Sequence, residues 1–255
     1  TIKETHEVEA VSATEKISLK DVGMILKHNR YIYILAIATL VMNFVTNMGI
    51  NTYYFTYIVG NVGLMGALSV VQIVIIPLMF VFPPIIRKFS KQKLIMAGVL
   101  TTCVGLFINF IAGSNMTLLM IGALLQNAGA VPISMLASLL IVDCAEYNEW
   151  KGMRRMEGTL GSVNGFASKV GGSLGTAFVG IMIGLAGYDA SAAVMPDSAI
   201  LMIRLLYSLI PLALYVVVFI AMGFYKVEKD MPQILKDNEE RRAAYLAEHP
   251  ETENK

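Results

Sequence analysis

Two stretches of this chain, 31–86 and 94–142, carry no charged residue of either sign, and Asp and Glu are missing altogether from 22 to 142. Each stretch is more than twice the roughly 20 apolar residues that cross a bilayer. A soluble core of that length would be interrupted by charge, so each run reads as a pair of membrane spans joined by a short turn. Composition agrees: 56% of the residues are hydrophobic and 15% charged, against about 25% charged in an ordinary soluble domain.

Turns and prolines divide the chain further. A hydrophilic leading segment, 1–30, gives way to a first span over 31–58. Gly60-Asn61-Val62-Gly63 turns the chain into a second span, 66–86, which contains Pro77 and closes on Pro83-Pro84. The third span covers 94–112, the fourth 116–142 with Pro132 inside it, the fifth 159–186 and the sixth 199–224 with Pro211. Residues 225–255 form a charged tail, predicted to be helical from Pro232 onward. The expected fold class is an all-α integral membrane protein of six transmembrane helices.

Lysine and arginine resist translocation and stay cytoplasmic. They fall in the leading segment (Lys3, Lys16, Lys20, Lys27, Arg30), in the loop after the second span (Arg87, Lys88, Lys91, Lys93), in the loop after the fourth (Lys151, Arg154, Arg155) and in the tail (Lys226, Lys229, Lys236, Arg241, Arg242, Lys255). The turns 60–65, 113–115 and 187–198 contain none. That alternation predicts a multi-pass protein of the cell membrane with both ends in the cytoplasm, its first partner being the lipid bilayer.

A net charge of +1 points to no nucleic-acid partner. Cys103 and Cys144 form no disulfide or metal spacing, and His6, His28 and His249 stand apart, so no metal and no cofactor are expected. The chain opens on Thr1 with polar residues and no signal peptide, and a preceding segment is expected. No nucleophile, base and orienting group share a predicted cavity face, so an enzyme is not expected.

The residues that carry chemistry lie inside the spans. Lys169 sits in the fifth, where a central lysine costs about 2.5–3.5 kcal/mol on insertion scales. Ser162, Phe166, Ser173 and Thr176 share its face at helical spacing, giving a mildly polar stripe that suits a wet cavity; pairing with a neighbouring helix is the alternative. Gly161 and Gly165, Gly171 and Gly175, and Gly180 and Gly184 are each four apart and permit close helix packing. In the first span Asn43, Asn47 and Asn51 are four apart, flanked by Thr46, Tyr54 and Tyr57. Buried amides need partners, so this stripe either lines an aqueous path or bonds to another helix. Asn127, Ser134 and Ser138 form a weaker line around Pro132, read mainly as packing.

The segment from Asp143 reads D, then E-Y-N-E-W-K-G over 146–152, then R-M-E-G over 155–158, followed by the helix lysine and a glycine-rich stretch ending in Gly187-Tyr188. This pattern resembles the cytoplasmic loop of the glycoside-pentoside-hexuronide:cation symporters, a group within the major facilitator superfamily. The resemblance extends more weakly over the whole chain. It implies the C-terminal half of a twelve-helix transporter, with 1–30 as the central loop and an N-terminal six-helix half as partner. It implies secondary active transport of a sugar or glycoside, pentoside or hexuronide included, coupled to Na+ or H+. Lys169 would match the eleventh-helix lysine near the sugar and cation cavity, with Asn43, Asn47, Asn51, Tyr54, Ser134, Ser138 and Ser173 as further substrate-binding candidates. Asp143, Glu146, Glu149, Arg155 and Glu157 would match the cytoplasmic ion-pair cluster, with Arg87 as a basic partner. The tenth-helix tryptophan of melibiose permease falls at about Ser134 here, whereas Trp150, the one tryptophan of this chain, lies in the loop. The family binds its coupling cation through acids of the N-terminal half, and no acid occurs within a span here. Two rival readings are a standalone six-helix homodimeric carrier or channel, and a non-transporting scaffold whose tail binds a soluble partner.

Overall fold

The computed structural model describes residue 23 and residues 27–86, 88–192 and 194–248; Arg87 of the expected ion-pair cluster lies outside them. Among the described residues all regular structure is helical, with no strand. Helix α1 is Arg30–Thr46. After an irregular stretch, α2, Asn51–Tyr54, runs into a π-helical turn, Phe55–Val59. Then come α3, Met65–Ile86, α4, Lys91–Ala112, α5, Met116–Trp150, and α6, Glu157–Leu185. Helix α7, Asp197–Arg204, continues through a π-helical turn, Leu205–Leu209, into α8, Ile210–Gly223. The tail forms α9, Val227–Glu248.

Among the described residues, five stretches are long and apolar enough to cross a membrane: Arg30–Val59, Lys91–Ala112, Met116–Trp150, Glu157–Leu185 and Asp197–Gly223. The uncharged α3 has 22 residues, about 33 Å at 1.5 Å each, against a hydrocarbon core of about 30 Å. Backbone groups in lipid must be satisfied internally, which is why the uncharged runs become helices.

The chain forms two compact units, one from Thr1–Tyr33, Ser138–Val163 and Lys226–Lys255, the other from Ile34–Ala137 and Asn164–Tyr225. The second is the helical bundle. Apolar association is weak between helices in lipid, so close backbone approach through small residues does much of the holding. A methyl group at Gly171 or Gly175 of α6 would collide with the carbonyl of Leu40 or Phe44 on α1, and one at Gly98 or Gly105 of α4 would lie 2.5 Å from the carbonyl of Gly129 or Gly122 on α5. Gly161, Gly165, Gly180 and Gly184 meet nothing within 4 Å, so only one of the three α6 glycine pairs serves a described contact. The bundle core gathers Tyr54, Phe55, Leu119, Ile203 and Leu206, with Tyr54 stacked on Tyr207 at a ring separation of 3.8 Å.

In the other unit, α9 turns one apolar face inward. Val227, Met231, Ile234 and Asn238, spaced four, three and four, are all buried. The tail helix begins five residues before Pro232, its first turn closed by the Lys229 amide donating to the Lys226 carbonyl. Asn29 joins the start of α1 to the end of α5: its Oδ1 accepts from the Tyr31 amide, and its Nδ2 donates to the Cys144 carbonyl and the Asn148 side chain.

Candidate functional site

The bundle presents Lys169 on α6. A lysine in an apolar helix needs a partner or water; Lys169 is exposed and, among the described residues, makes no hydrogen bond or ion pair. Phe166, Ser173 and Thr176 are exposed on the same helix. The buried face of α6 is the opposite one, where Gly171 and Gly175 meet α1.

Helix α1 brings its amides to this helix. Thr39 donates to Asn164 at 2.6 Å, Thr176 donates to the Asn47 carbonyl at 2.9 Å, and Phe44 and Phe178 pack with ring centres 5.3 Å apart. A methyl group at Gly172 would sit 3.3 Å from Asn47 Nδ2. Asn47 therefore abuts the turn of α6 between Lys169 and Thr176.

The amide stripe is satisfied in a way that the spacing did not suggest. Asn43 Nδ2 donates to the Thr39 carbonyl and Asn47 Nδ2 to the Asn43 carbonyl, each four residues back on its own helix. Both side chains thereby keep their oxygens available, and Asn47 is exposed. The helix does not continue to Asn51. It ends at Thr46, and Gly49 takes the left-handed conformation at φ 64°, which a glycine adopts without penalty. Asn51 is exposed at the start of α2. Tyr54 is 1% exposed, with its ring on Tyr207 and its hydroxyl donating to the Gly113 carbonyl at 2.8 Å. That places it in the core of the bundle. On α5, Ser134 is exposed and back-bonds to the Val131 carbonyl, and Ser138 is exposed.

The second group of candidates lies in the other unit. The segment expected to be a charged loop over 143–157 is helical as far as Trp150. Helix α5 has 35 residues, about 52 Å, so its last turns outrun a hydrocarbon core of about 30 Å and can carry acids. Arg155 reaches back from the following turn to Glu146 at 2.8 Å, to Glu149 at 4.0 Å and to Glu157 at 2.5 Å. Asp143 is 5% exposed. Glu146, Glu149, Arg155 and Glu157 of the expected cluster thus form one ionic network.

The network has a further member that the sequence did not reveal. Arg242 of α9 donates to Glu149 at 2.7 and 2.5 Å and to Glu146 at 3.0 Å. Asn238, one turn earlier, donates to both the carbonyl and the carboxylate of Glu146 at 3.0 and 2.9 Å. The hydrogen bond to Glu149, opposed by burial and reinforced by the charge of Glu146, holds the Arg242 guanidinium protonated even more firmly than usual. Trp150 donates its indole N–H to Asp237 at 2.8 Å, and that contact draws the carboxyl below the usual aspartate range. The signal in the sequence was the pair Asn238 and Arg242, four apart in a helical tail, but nothing local names their partners. Among the described residues, no group of three His, Cys, Asp or Glu side chains is placed to hold a metal ion.

Comparison with known proteins adds the family. The profile of the "MFS/sugar transport protein" family matches residues 1–229. The chain is 30% identical over 244 residues to an uncharacterized symporter of Bacillus subtilis, covering 91% of this chain and 51% of that protein. It is 30% identical over 249 residues to a putative 2,3-dihydroxypropane-1-sulfonate exporter of Escherichia coli, covering 94% and 53%. With the isoprimeverose transporter of Lactiplantibacillus pentosus it shares 27% identity over 245 residues, 92% and 50%. The chain spans about half the length of these relatives. A family match over 229 of 255 residues, on a chain of apolar helices, makes it a member of the MFS/sugar transport family.

Proposed function

We propose that these 255 residues act as the C-terminal half of a twelve-helix sugar symporter, moving a sugar or glycoside by alternating access with Na+ or H+ as the coupling ion. The observation that carries the reading is Lys169: a bare ammonium on the exposed, mildly polar face of a membrane helix, with Asn47 beside it. In such transporters the two halves rock around a site near the midplane, and differential binding of sugar and ion selects between conformations. The α6 face is that site's contribution from this half. The lysine/arginine pattern supports cytoplasmic ends, with 1–30 as the link to the N-terminal half, and the coupling ion is bound there.

An unpartnered ammonium favours sugars that bring an anion. The putative exporter of 2,3-dihydroxypropane-1-sulfonate and a putative sulfoquinovose importer are among the relatives, which extends the candidate substrates from hexuronides to sulfonated sugars. A carboxylate or sulfonate in a site of low dielectric meets Lys169 by a charge-assisted hydrogen bond. The test is uptake of radiolabelled neutral glycosides, hexuronides and sulfonated sugars by the complete transporter carrying Lys169→Ala. Uptake falls to background while membrane insertion is unchanged; normal uptake of all three classes in that variant overturns the reading.

A further inference from the structure

The bundle contains a cavity of about 400 Å3 to which no residue of α6 contributes, Lys169 included. Its wall combines two irregular helices. The break between α1 and α2 supplies Thr46, Gly49 and Asn51, and the π-helical turn after α7 supplies Leu206 and Tyr207. Unwound backbone within a membrane segment is tolerated where it is buried in protein or lines a cavity, and broken helices recur at transporter binding sites. Among the described residues, the amides of Gly49 and Ile50 find no backbone hydrogen-bond acceptor.

The lining is polar but uncharged. Gln126 and Asn127 commit their amide N–H groups to the carbonyls of Gly122 and Ala123 on their own helix, which turns their carbonyl oxygens to other partners. Asn109 also lines the cavity. It is 2% exposed, and its Oδ1, lying against Gly122, is buried with no hydrogen-bond partner among the described residues. A buried amide of this kind costs about 1–3 kcal/mol unless something in the cavity meets it. Tyr207 and Tyr215 add ring faces.

We propose that this cavity binds an uncharged, polyhydroxylated small molecule of monosaccharide size, at a site separate from the Lys169 face. Three features select that chemistry. The volume lies in the range of about 300–1,000 Å3 typical of small-molecule pockets and is too wide for a bare cation, whose oxygen ligands must close to about 2.0–2.6 Å. The lining has no charge to neutralise an ion. Amide oxygens that accept and an amide nitrogen that donates match hydroxyls, which do both, while the tyrosine rings suit the apolar C–H face of a sugar ring.

The experiment places a single thiol at the cavity wall, Ala130→Cys in a Cys103→Ser, Cys144→Ser background, in the full chain reconstituted in lipid nanodiscs. The rate of thiol labelling is measured against D-glucose, D-xylose, D-glucuronate and NaCl. Glucose or xylose slows labelling at least tenfold at saturation, glucuronate and NaCl do not, and Gln126→Leu with Asn127→Leu raises the half-protecting concentration at least tenfold. In the Lys169→Ala background, where transport is lost, protection by the neutral sugar persists, so failure of the transport reading and failure of this site are told apart. Labelling that neither neutral sugar slows, meaning a cavity that holds water only, overturns the proposal. So does protection by NaCl alone, or protection that disappears with Lys169→Ala and survives loss of Gln126 and Asn127.

Discussion

The two units satisfy polar side chains in opposite ways. In the unit that contains α9, Glu146 is met by Asn238 and Arg242, 92 and 96 residues away in sequence. In the bundle, Asn43 and Asn47 are met by carbonyls four residues back on the same helix. The first arrangement depends on charge brought together by tertiary contact, around a Glu146 that is 5% exposed. The second is intrinsic to the helix and persists whichever way the helix packs. A network of separable charges suits contacts that form and break, whereas self-satisfied amides suit a face that stays intact while its surroundings change.

The contrast predicts where the molecule breaks most severely. Gly175→Leu drives a side chain into the Phe44 carbonyl, and since backbone cannot yield as a side chain can, the cost exceeds about 3 kcal/mol. The expected result is loss of monodisperse protein in detergent; a variant with wild-type yield and thermal stability would mean that α1 and α6 can separate without harm. Next in size is Glu146→Ala, which leaves Arg155, Arg242 and Asn238 without their shared acceptor. Stranding partly buried guanidinium groups costs about 3 kcal/mol, and Arg242→Ala costs less, about 1.5 to 3 kcal/mol. Hydrogen exchange across 227–248 reads both, with protection falling further in the glutamate variant. Equal protection in both would assign the docking of α9 to Val227, Met231 and Ile234 alone.

A smaller effect follows from Asp237. Its carboxyl is drawn below the ordinary aspartate value by the Trp150 indole, so the contact's contribution is complete above the ordinary value and is lost as pH falls through the lower folded one. Trp150 is the only tryptophan, so its emission reads the contact directly. It stays constant from neutral pH down to about pH 4, near the ordinary value, and changes below. Asp237→Asn abolishes the acid transition, and an unaltered transition in that variant would place the titration elsewhere.

The membrane helices were legible because charge is excluded from lipid so strongly that its absence over 31–86 and 94–142 leaves little choice of fold. The break after Thr46 was not. Asn43, Asn47 and Asn51 keep perfect helical spacing across it, and the left-handed Gly49 is one glycine among many, so periodicity pointed to a continuous stripe. The carboxylates of the cluster stood out by their density and order, and so did Arg155. Arg242 did not, because a charged tail helix looks the same whether it is docked or solvated, and its partners are fixed only by the fold. Tyr54 shows the opposite error: it flanks the amide stripe in sequence, yet the turn of α2 and the π-helical segment carries its ring into the core. Local pattern located the polar groups; tertiary packing decided which of them remain available.

The mildest test concerns a contact with neither buried charge nor helix register behind it. Tyr188, in the turn after α6, places its hydroxyl 2.9 Å from that of Tyr57, and its ring meets Tyr53 and Tyr57 edge to face. The hydrogen bond between the two hydroxyls is the main reason that the Tyr188 phenol is pushed up to about 12. With the folded value raised, the contribution is whole below the ordinary tyrosine value near 10 and disappears as pH climbs through the folded one. Tyr188→Phe removes the hydroxyl and keeps the ring, so the loss is that of one well-solvated hydrogen bond, about 0.5 kcal/mol. Thermal unfolding at pH 7.5 should shift by only a degree or two, whereas Tyr188→Ala, which also removes two ring contacts, shifts it further. A phenylalanine variant as damaging as the alanine one would mean that the hydroxyl pair, and not the edge-to-face rings, holds this turn to the first span.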